Sequence, residues 1–134
     1  GRQYNHQFVI ESMLYQMYNE KSSIKLGDPT PIRDFIFEPD LLAAYQLAAE
    51  SHNKKIIGES INIGTGKSIS IKQLAEKIKK ITGYKGKIKW NSFPKRALEI
   101  PKLEIDNSKA KKLLKWKPKH TLDQGLKITA SYYS

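Results

Sequence analysis

The chain has 134 residues, 39% hydrophobic and 28% charged, with 24 Lys and Arg against 13 Asp and Glu and no cysteine. That is enough chain for one modest core, and no apolar run approaches the roughly 18 residues a bilayer crossing needs. The lack of cysteine excludes disulfides, thiolate metal sites and cysteine nucleophiles. In chain order, residues 7–19 place Phe8, Ile10, Met13, Leu14 and Met17 at helical spacing and predict an amphipathic helix, the methionines serving its core face. A strand is expected at 23–26, then a loop at 27–31 where Gly27, Pro29 and Pro31 interrupt regular structure. A second strand is expected at 33–37, followed by a helix opened by Pro39 and Asp40, with Asp40 as its N-cap.

Residues 59–63 predict a strand ending in Gly64-Thr65-Gly66. Ser70 and Gln73 have capping-box spacing, Ile71, Leu74, Ile78 and Ile81 form an apolar stripe, and Gly83 supplies the stop, which together define the clearest helix of the chain. A strand at 87–90 and an irregular loop at 93–101 follow. Asp106 or Asn107 is expected to cap a short helix through Leu114, with Pro118 beyond its end. Thr121 and Gln124 form a second capping box, opening a last helix through about Tyr132. The fold class is α/β (mixed α+β), with short strands interleaved with about five helices and no internal repeat.

The charge is uneven. Residues 67–119 hold 17 basic and four acidic groups, a net +13, while seven basic and nine acidic groups leave the remainder at −2. Such a block attracts phosphates and other polyanions, although most of its lysines read as solvated surface. Gly64-Thr65-Gly66-Lys67-Ser68 has the look of a P-loop end, but that motif requires a glycine where this chain has Ile61, so a tight turn is expected. His6, His52 and His120 lack metal-ligand spacing, so no metal site is expected, and neither a nucleophile elbow nor a dinucleotide fingerprint occurs. Two arginines stand apart from the lysine background. Arg33 follows the Pro-rich loop and Arg96 lies in the loop before Pro101. A guanidinium fork matches phosphate oxygens bidentately, so two of them converging would clamp a diphosphate. Spacing alone equally allows ion pairs, Arg33 with Asp34 or Glu38 and Arg96 with Glu99.

The segments LGDPTPIRDFIFEPDLLAAY, INIGTGKSISIKQLAEKI, PKRALEI and DNSKAKKLLKWKPKHTLDQGLKIT stand in order over nearly the whole chain. Together they resemble the C-terminal, substrate-binding part of extended short-chain dehydrogenase/reductases, the NAD-dependent epimerases and 4,6-dehydratases of nucleotide sugars. The resemblance implies that residues 1–134 form the nucleotide-sugar-binding region of such an enzyme. By that resemblance Arg33 contacts ribose and phosphates and Arg96 grips the pyrophosphate. Glu99, where the family usually has Asp, binds ribose hydroxyls, and Lys25 and Leu26 lie beside the base. The turn at 62–66 and the segment 106–116 are implied to be structural.

The same resemblance implies what lies elsewhere. The family's glycine-rich cofactor loop and Tyr-x-x-x-Lys pair belong to an N-terminal Rossmann half, and no Tyr here has Lys four residues on. NAD (or NADP) is therefore expected in a longer parent protein and no full cofactor site or catalytic residue in this chain, which opens at Gly1 rather than Met and shows no secretory leader. Expected partners are a nucleoside-diphosphate sugar, the Rossmann half and, as is common in the family, a second copy; a cytoplasmic setting is expected. Two other readings stand beside this one: a basic nucleic-acid-binding module, with Trp90, Phe93 and Trp116 as stacking platforms or, as their spacing suits better, core anchors, and a non-catalytic assembly domain that keeps the fold.

Overall fold

A computed structural model of the chain describes residues 7–52, 54–95 and 101–134. Helix α1 (Gln7–Asn19) buries Ile10, Met13, Leu14 and Met17, positions three and four apart that share one face. Strand β1 (Ser23–Lys25) and strand β2 (Ile32–Arg33) precede helix α2 (Glu38–Glu50); strand β3 (Ile69–Ser70) leads directly into helix α3 (Ile71–Thr82). Strand β4 (Lys87–Lys89), helix α4 (Ser108–Leu114) and helix α5 (Leu122–Ser131) complete the order, with one 3-10 turn at Lys54–Ile56. β1 pairs in parallel with β4, Ile24 opposite Ile88, and β2 pairs antiparallel with β3, Arg33 opposite Ile69.

α3 is the hub, packed between α1 and α5. Both α3 and α5 start with the expected capping boxes: Ser70 and Gln73, and Thr121 and Gln124, exchange side chain-to-backbone hydrogen bonds in each. Gly83 ends α3 in the left-handed region at φ 73, a conformation glycine adopts without a Cβ penalty. The main core joins the inner faces of α1, α3 and α5 to Ile24, Leu26, Phe35 and Phe37. A second core collects Ile36, Ala44, Ala110, Leu114 and Trp116, with Ile61 and Ile63 against it. Each fully buried aliphatic side chain in these clusters contributes on the order of 1.5–3 kcal/mol by leaving water. Residues 35–37 form the seam, since Phe35 and Phe37 enter one core and Ile36 the other, the alternation of a strand.

Four sequence expectations change. Among the described residues the second strand is a ladder over Ile32–Arg33 with a separate bridge residue at Phe37, shorter than the 33–37 run expected. Asp40 is not an N-cap: α2 starts at Glu38 with Phe37 at the cap position, and the Asp40 carboxylate turns to His120. Residues 59–63 form no strand: Glu59 closes a turn by donating its N–H to the Ile56 carbonyl at 3.1 Å, and no strand lies beside the rest among the described residues. Asn107 occupies the N-cap position of α4 without capping it; its side-chain amide reaches Gly64, while Asp106 accepts from the Ser108 N–H. No described helix is long and apolar enough to cross a membrane.

Candidate functional site

The region to which the sequence points is assembled from three stretches. Lys25 ends β1; its side chain is exposed, while its N–H donates to Gln16 Oε1 and its carbonyl accepts from Gln16 Nε2, each at 3.0 Å. The amide of Gln16 thus stands in for a neighbouring strand and fixes the free edge of β1. Leu26 is buried, and past it the chain stays paired: the Leu26 N–H donates to the Lys89 carbonyl at 3.1 Å, Ser92 N–H to the Leu26 carbonyl at 3.0 Å, and Asn91 N–H to the Gly27 carbonyl at 2.8 Å. Asn91 makes this turn at φ 56, a left-handed conformation that Asn tolerates better than most residues.

Arg33 lies half-buried on β2, its Nη1 donating to the Ile32 carbonyl at 2.8 Å. The same residue that precedes it ties down the far end of the 93–101 loop: Ile32 N–H donates to the Pro101 carbonyl at 2.9 Å and Leu103 N–H to the Ile32 carbonyl at 2.8 Å. The near end is held by Lys95, whose Nζ is 3.5 Å from Asp28 Oδ2. Asp28 is itself fixed in an Asx turn, accepting from the Thr30 N–H at 2.9 Å and the Thr30 hydroxyl at 2.7 Å. These bonds, the Thr30 N–H first, hold its carboxyl below the usual range, and Lys95 adds to the effect. Arg96 and Glu99 lie outside the described residues. The stretch that carries them departs from Asp28 and returns at Ile32, so both its ends rest on the loop that links Lys25 and Leu26 to Arg33.

The Gly64–Gly66 turn does something different. Asp34, 2% exposed, accepts from the Thr65 N–H at 3.1 Å, the Thr65 hydroxyl at 2.6 Å and the Gly66 N–H at 2.9 Å. Asn107 Nδ2 donates to the Gly64 carbonyl at 2.8 Å from the other side. Gly66 has φ 78, and a Cβ on Gly64 would stand 2.8 Å from both Asp34 Oδ2 and Ile105 Cβ, so the glycines answer to backbone geometry and close approach. The turn's N–H groups are taken up by an internal carboxylate and do not fit a cofactor pyrophosphate.

A third knot ties α2 to the α4–α5 connection. Trp116 Nε1 donates to the Asp40 carbonyl at 2.9 Å, His120 N–H to Asp40 Oδ2 at 3.0 Å, and His120 Nδ1 lies 3.0 Å from Asp40 Oδ1 with its ring edge-on to Phe37. Trp116 and the partly buried Trp90 serve the cores as their spacing suggested, whereas Phe93 is 57% exposed and anchors nothing there. Sequence reasoning missed Gln16, the Asp34 knot and the Asp40–His120 pair. Their partners lie 9, 31 and 80 residues away, beyond any local pattern. Among the described residues no cluster of three His, Asp or Glu could hold a metal ion.

The family model described as GDP-mannose 4,6 dehydratase matches residues 1–129. UDP-glucuronate 4-epimerase of Thermodesulfobacterium geofontis is 37% identical over 117 residues, covering 87% of this chain and 34% of that protein. Among solved structures, UDP-glucose 4-epimerase of Thermotoga maritima with UDP-glucose superposes at a TM-score of 0.80 and 34% identity, over 93% of this chain and 38% of that one. A mutant UDP-glucuronic acid 4-epimerase of Bacillus cereus, in complex with a fluorinated UDP-glucuronic acid and NAD, superposes at 0.82 and 30% identity, over 93% and 39%. The chain therefore spans little more than a third of the length of the proteins it matches. It belongs to the GDP-mannose 4,6-dehydratase family, among the NAD-dependent nucleotide-sugar epimerases and dehydratases of the extended short-chain dehydrogenase/reductases.

Proposed function

We propose that this chain is the nucleotide-sugar-binding portion of an NAD(P)-dependent epimerase or dehydratase, with Arg33 and Arg96 clamping the diphosphate. In this reading Glu99 accepts from ribose hydroxyls, and Lys25 and Leu26 lie beside the base. The observation that carries it is the tethering of the 93–101 loop at Asp28 and at Ile32, on the same loop that presents Arg33. Two guanidinium forks brought to one diphosphate give short charge-assisted bonds in fixed orientation, which a flexible lysine does not. Orientation of the substrate is this chain's contribution. NAD(P), when bound, takes up and returns the hydride, and its site belongs to a Rossmann half supplied from elsewhere in a longer protein.

Two features of the described residues support that last point. Residues 60–63 make no backbone hydrogen bond among the described residues, so their N–H and C=O groups are open to a neighbouring strand. On α2, Leu42 is 54% exposed and Tyr45 57%, one turn apart on the same face. Unpaired backbone and an open apolar helix face are what a docked α/β half would cover.

The clamp is tested by nucleoside-diphosphate affinity. Arg96→Ala and Arg33→Ala are each expected to weaken binding by about tenfold or more, as loss of a charge-assisted pair worth roughly 1.5–3 kcal/mol implies. Lys112→Ala, removing one charge from the exposed face of α4, is expected to leave it within about twofold. Equal losses from all three would mean diffuse attraction by the basic block and would sink the clamp.

A further inference from the structure

Phe93 is an aromatic side chain with no part in either core or in the proposed clamp. It is 57% exposed, whereas Phe35 and Phe37 are buried at 2% and 5%. Tyr15, Tyr45 and Tyr132 are comparably exposed, but each keeps a hydroxyl in water. A phenylalanine has no such polar group, so its ring leaves apolar area in solvent with nothing gained in return.

The backbone that carries the ring is pinned on both sides. Ser92, just before it, donates its N–H to the Leu26 carbonyl at 3.0 Å and its hydroxyl to the Lys89 carbonyl at 2.6 Å. Asn91 N–H reaches the Gly27 carbonyl at 2.8 Å, and Lys95 reaches Asp28 at 3.5 Å. Pro94 follows directly, and a residue before proline is held to extended backbone conformations. Phe93 therefore stands beside the Leu26–Asp28 segment in a pre-set conformation, which lowers the cost of ordering it against a ligand. That segment cannot itself present a flat apolar face. Leu26 is 4% exposed, Gly27 has no side chain, and the exposed Lys25 supplies charge.

We propose that Phe93 is the platform on which the base of the bound nucleoside diphosphate stacks, an inference that rests on the reading of this region as a nucleotide-sugar site. Every base has a π face, so the stack adds affinity for the nucleoside and leaves the choice among bases to other contacts. A nucleic-acid strand fits less well, because successive bases need successive rings. Trp90 is partly buried against the main core and Trp116 is 3% exposed, so neither continues the platform.

The test measures binding of UDP, GDP and inorganic pyrophosphate to the full 134-residue chain and its variants by calorimetry, with proton spectra of the nucleotides. Phe93→Ala is expected to weaken UDP and GDP about tenfold and to leave pyrophosphate within about twofold, since pyrophosphate has no base to stack. Phe93→Trp is expected to keep the affinity, and Phe93→Leu to lose as much as the alanine variant, because leucine has apolar area without a π face. The ring protons of uracil and guanine are expected to move upfield on binding the wild type and to stay in place with Phe93→Ala. Tyr132→Ala, which removes an exposed ring at the end of α5, is expected to change none of these. Phe93 is exposed, so retained spectral dispersion in each variant is part of the expected result. Full affinity in Phe93→Leu, an equal loss of pyrophosphate binding in Phe93→Ala, unmoved base protons, or tighter binding of oligothymidine than of UDP would each overturn the proposal. Pyrophosphate bound as tightly as the nucleotides would overturn it with the diphosphate site intact. If neither pyrophosphate nor a nucleotide binds, the clamp itself fails and the stack falls with it.

Discussion

The Gly64–Gly66 turn and the 26–33 loop both gather groups suited to an anion, and they differ in where that anion comes from. At Gly64–Gly66 two N–H groups and the Thr65 hydroxyl converge on a carboxylate, and the carboxylate is Asp34 of the same chain, buried and fixed. Around 26–33 the one cation is the half-buried Arg33, and the backbone is what is fixed, by Gln16 on Lys25, by Lys95 on Asp28 and by Pro101 on Ile32. The first arrangement is satisfied as it stands and holds two cores together. In the proposed clamp the second is a tethered frame from which the Arg33 guanidinium meets an anion from outside. A glycine-rich turn therefore says little about phosphate binding until the fate of its N–H groups is known.

That contrast can be broken most severely at Asp34. Asp34→Ala leaves the Thr65 and Gly66 N–H groups without their buried acceptor and is expected to cost about 3–5 kcal/mol, read as a lower urea midpoint at unchanged slope. A loss under about 1 kcal/mol would mean that the knot is not structural. Gln16→Ala addresses the other region. Both bonds to the Lys25 backbone go, stability is expected to fall by about 1–2 kcal/mol, and amide exchange at Lys25 is expected to speed up. Unchanged exchange at Lys25 would show that β1 needs no such edge.

Asp28 sharpens the comparison with the smallest effect. Its folded pKa lies below the ordinary carboxylate value, chiefly through the Thr30 N–H, so its contribution to stability is present above the unfolded pKa and is lost as pH falls through the lower folded value. The difference in urea midpoint between the wild type and Asp28→Asn is therefore expected near neutral pH and to close as the pH falls through the lowered folded value. A difference that is constant with pH would assign the effect to the altered side chain rather than to its charge.

How much of this was legible in the sequence follows the range of the interactions. The helices at 71–82 and 122–131 announce themselves because a capping box and an apolar stripe sit within a dozen residues, and Gly83 marks a stop that any chain obeys. Strands read less well, since alternation at 59–63 predicts a surface that fits a sheet and cannot supply the sheet. Asp40 has the side chain and the position of an N-cap, yet a histidine 80 residues away holds its carboxylate. For the site, Lys25, Leu26 and Arg33 were named from sequence; Lys25 ends β1 with Leu26 just beyond it, and Arg33 lies on β2. The anchors that make the connection, Gln16, Asp28 with Lys95 and Ile32 with Pro101, are backbone or long-range contacts that no residue pattern announces.

The most direct measurement is an amide-resolved NMR spectrum of the chain, repeated with UDP, GDP, CDP and dTDP in turn. The account predicts a dispersed spectrum in which one nucleotide shifts Leu26, Arg33 and the residues on either side of the 93–101 loop, leaving the Lys-rich faces of α3 and α4 unmoved. A dispersed spectrum in which no nucleotide moves those residues, or in which every nucleotide moves the lysine faces equally, would contradict it.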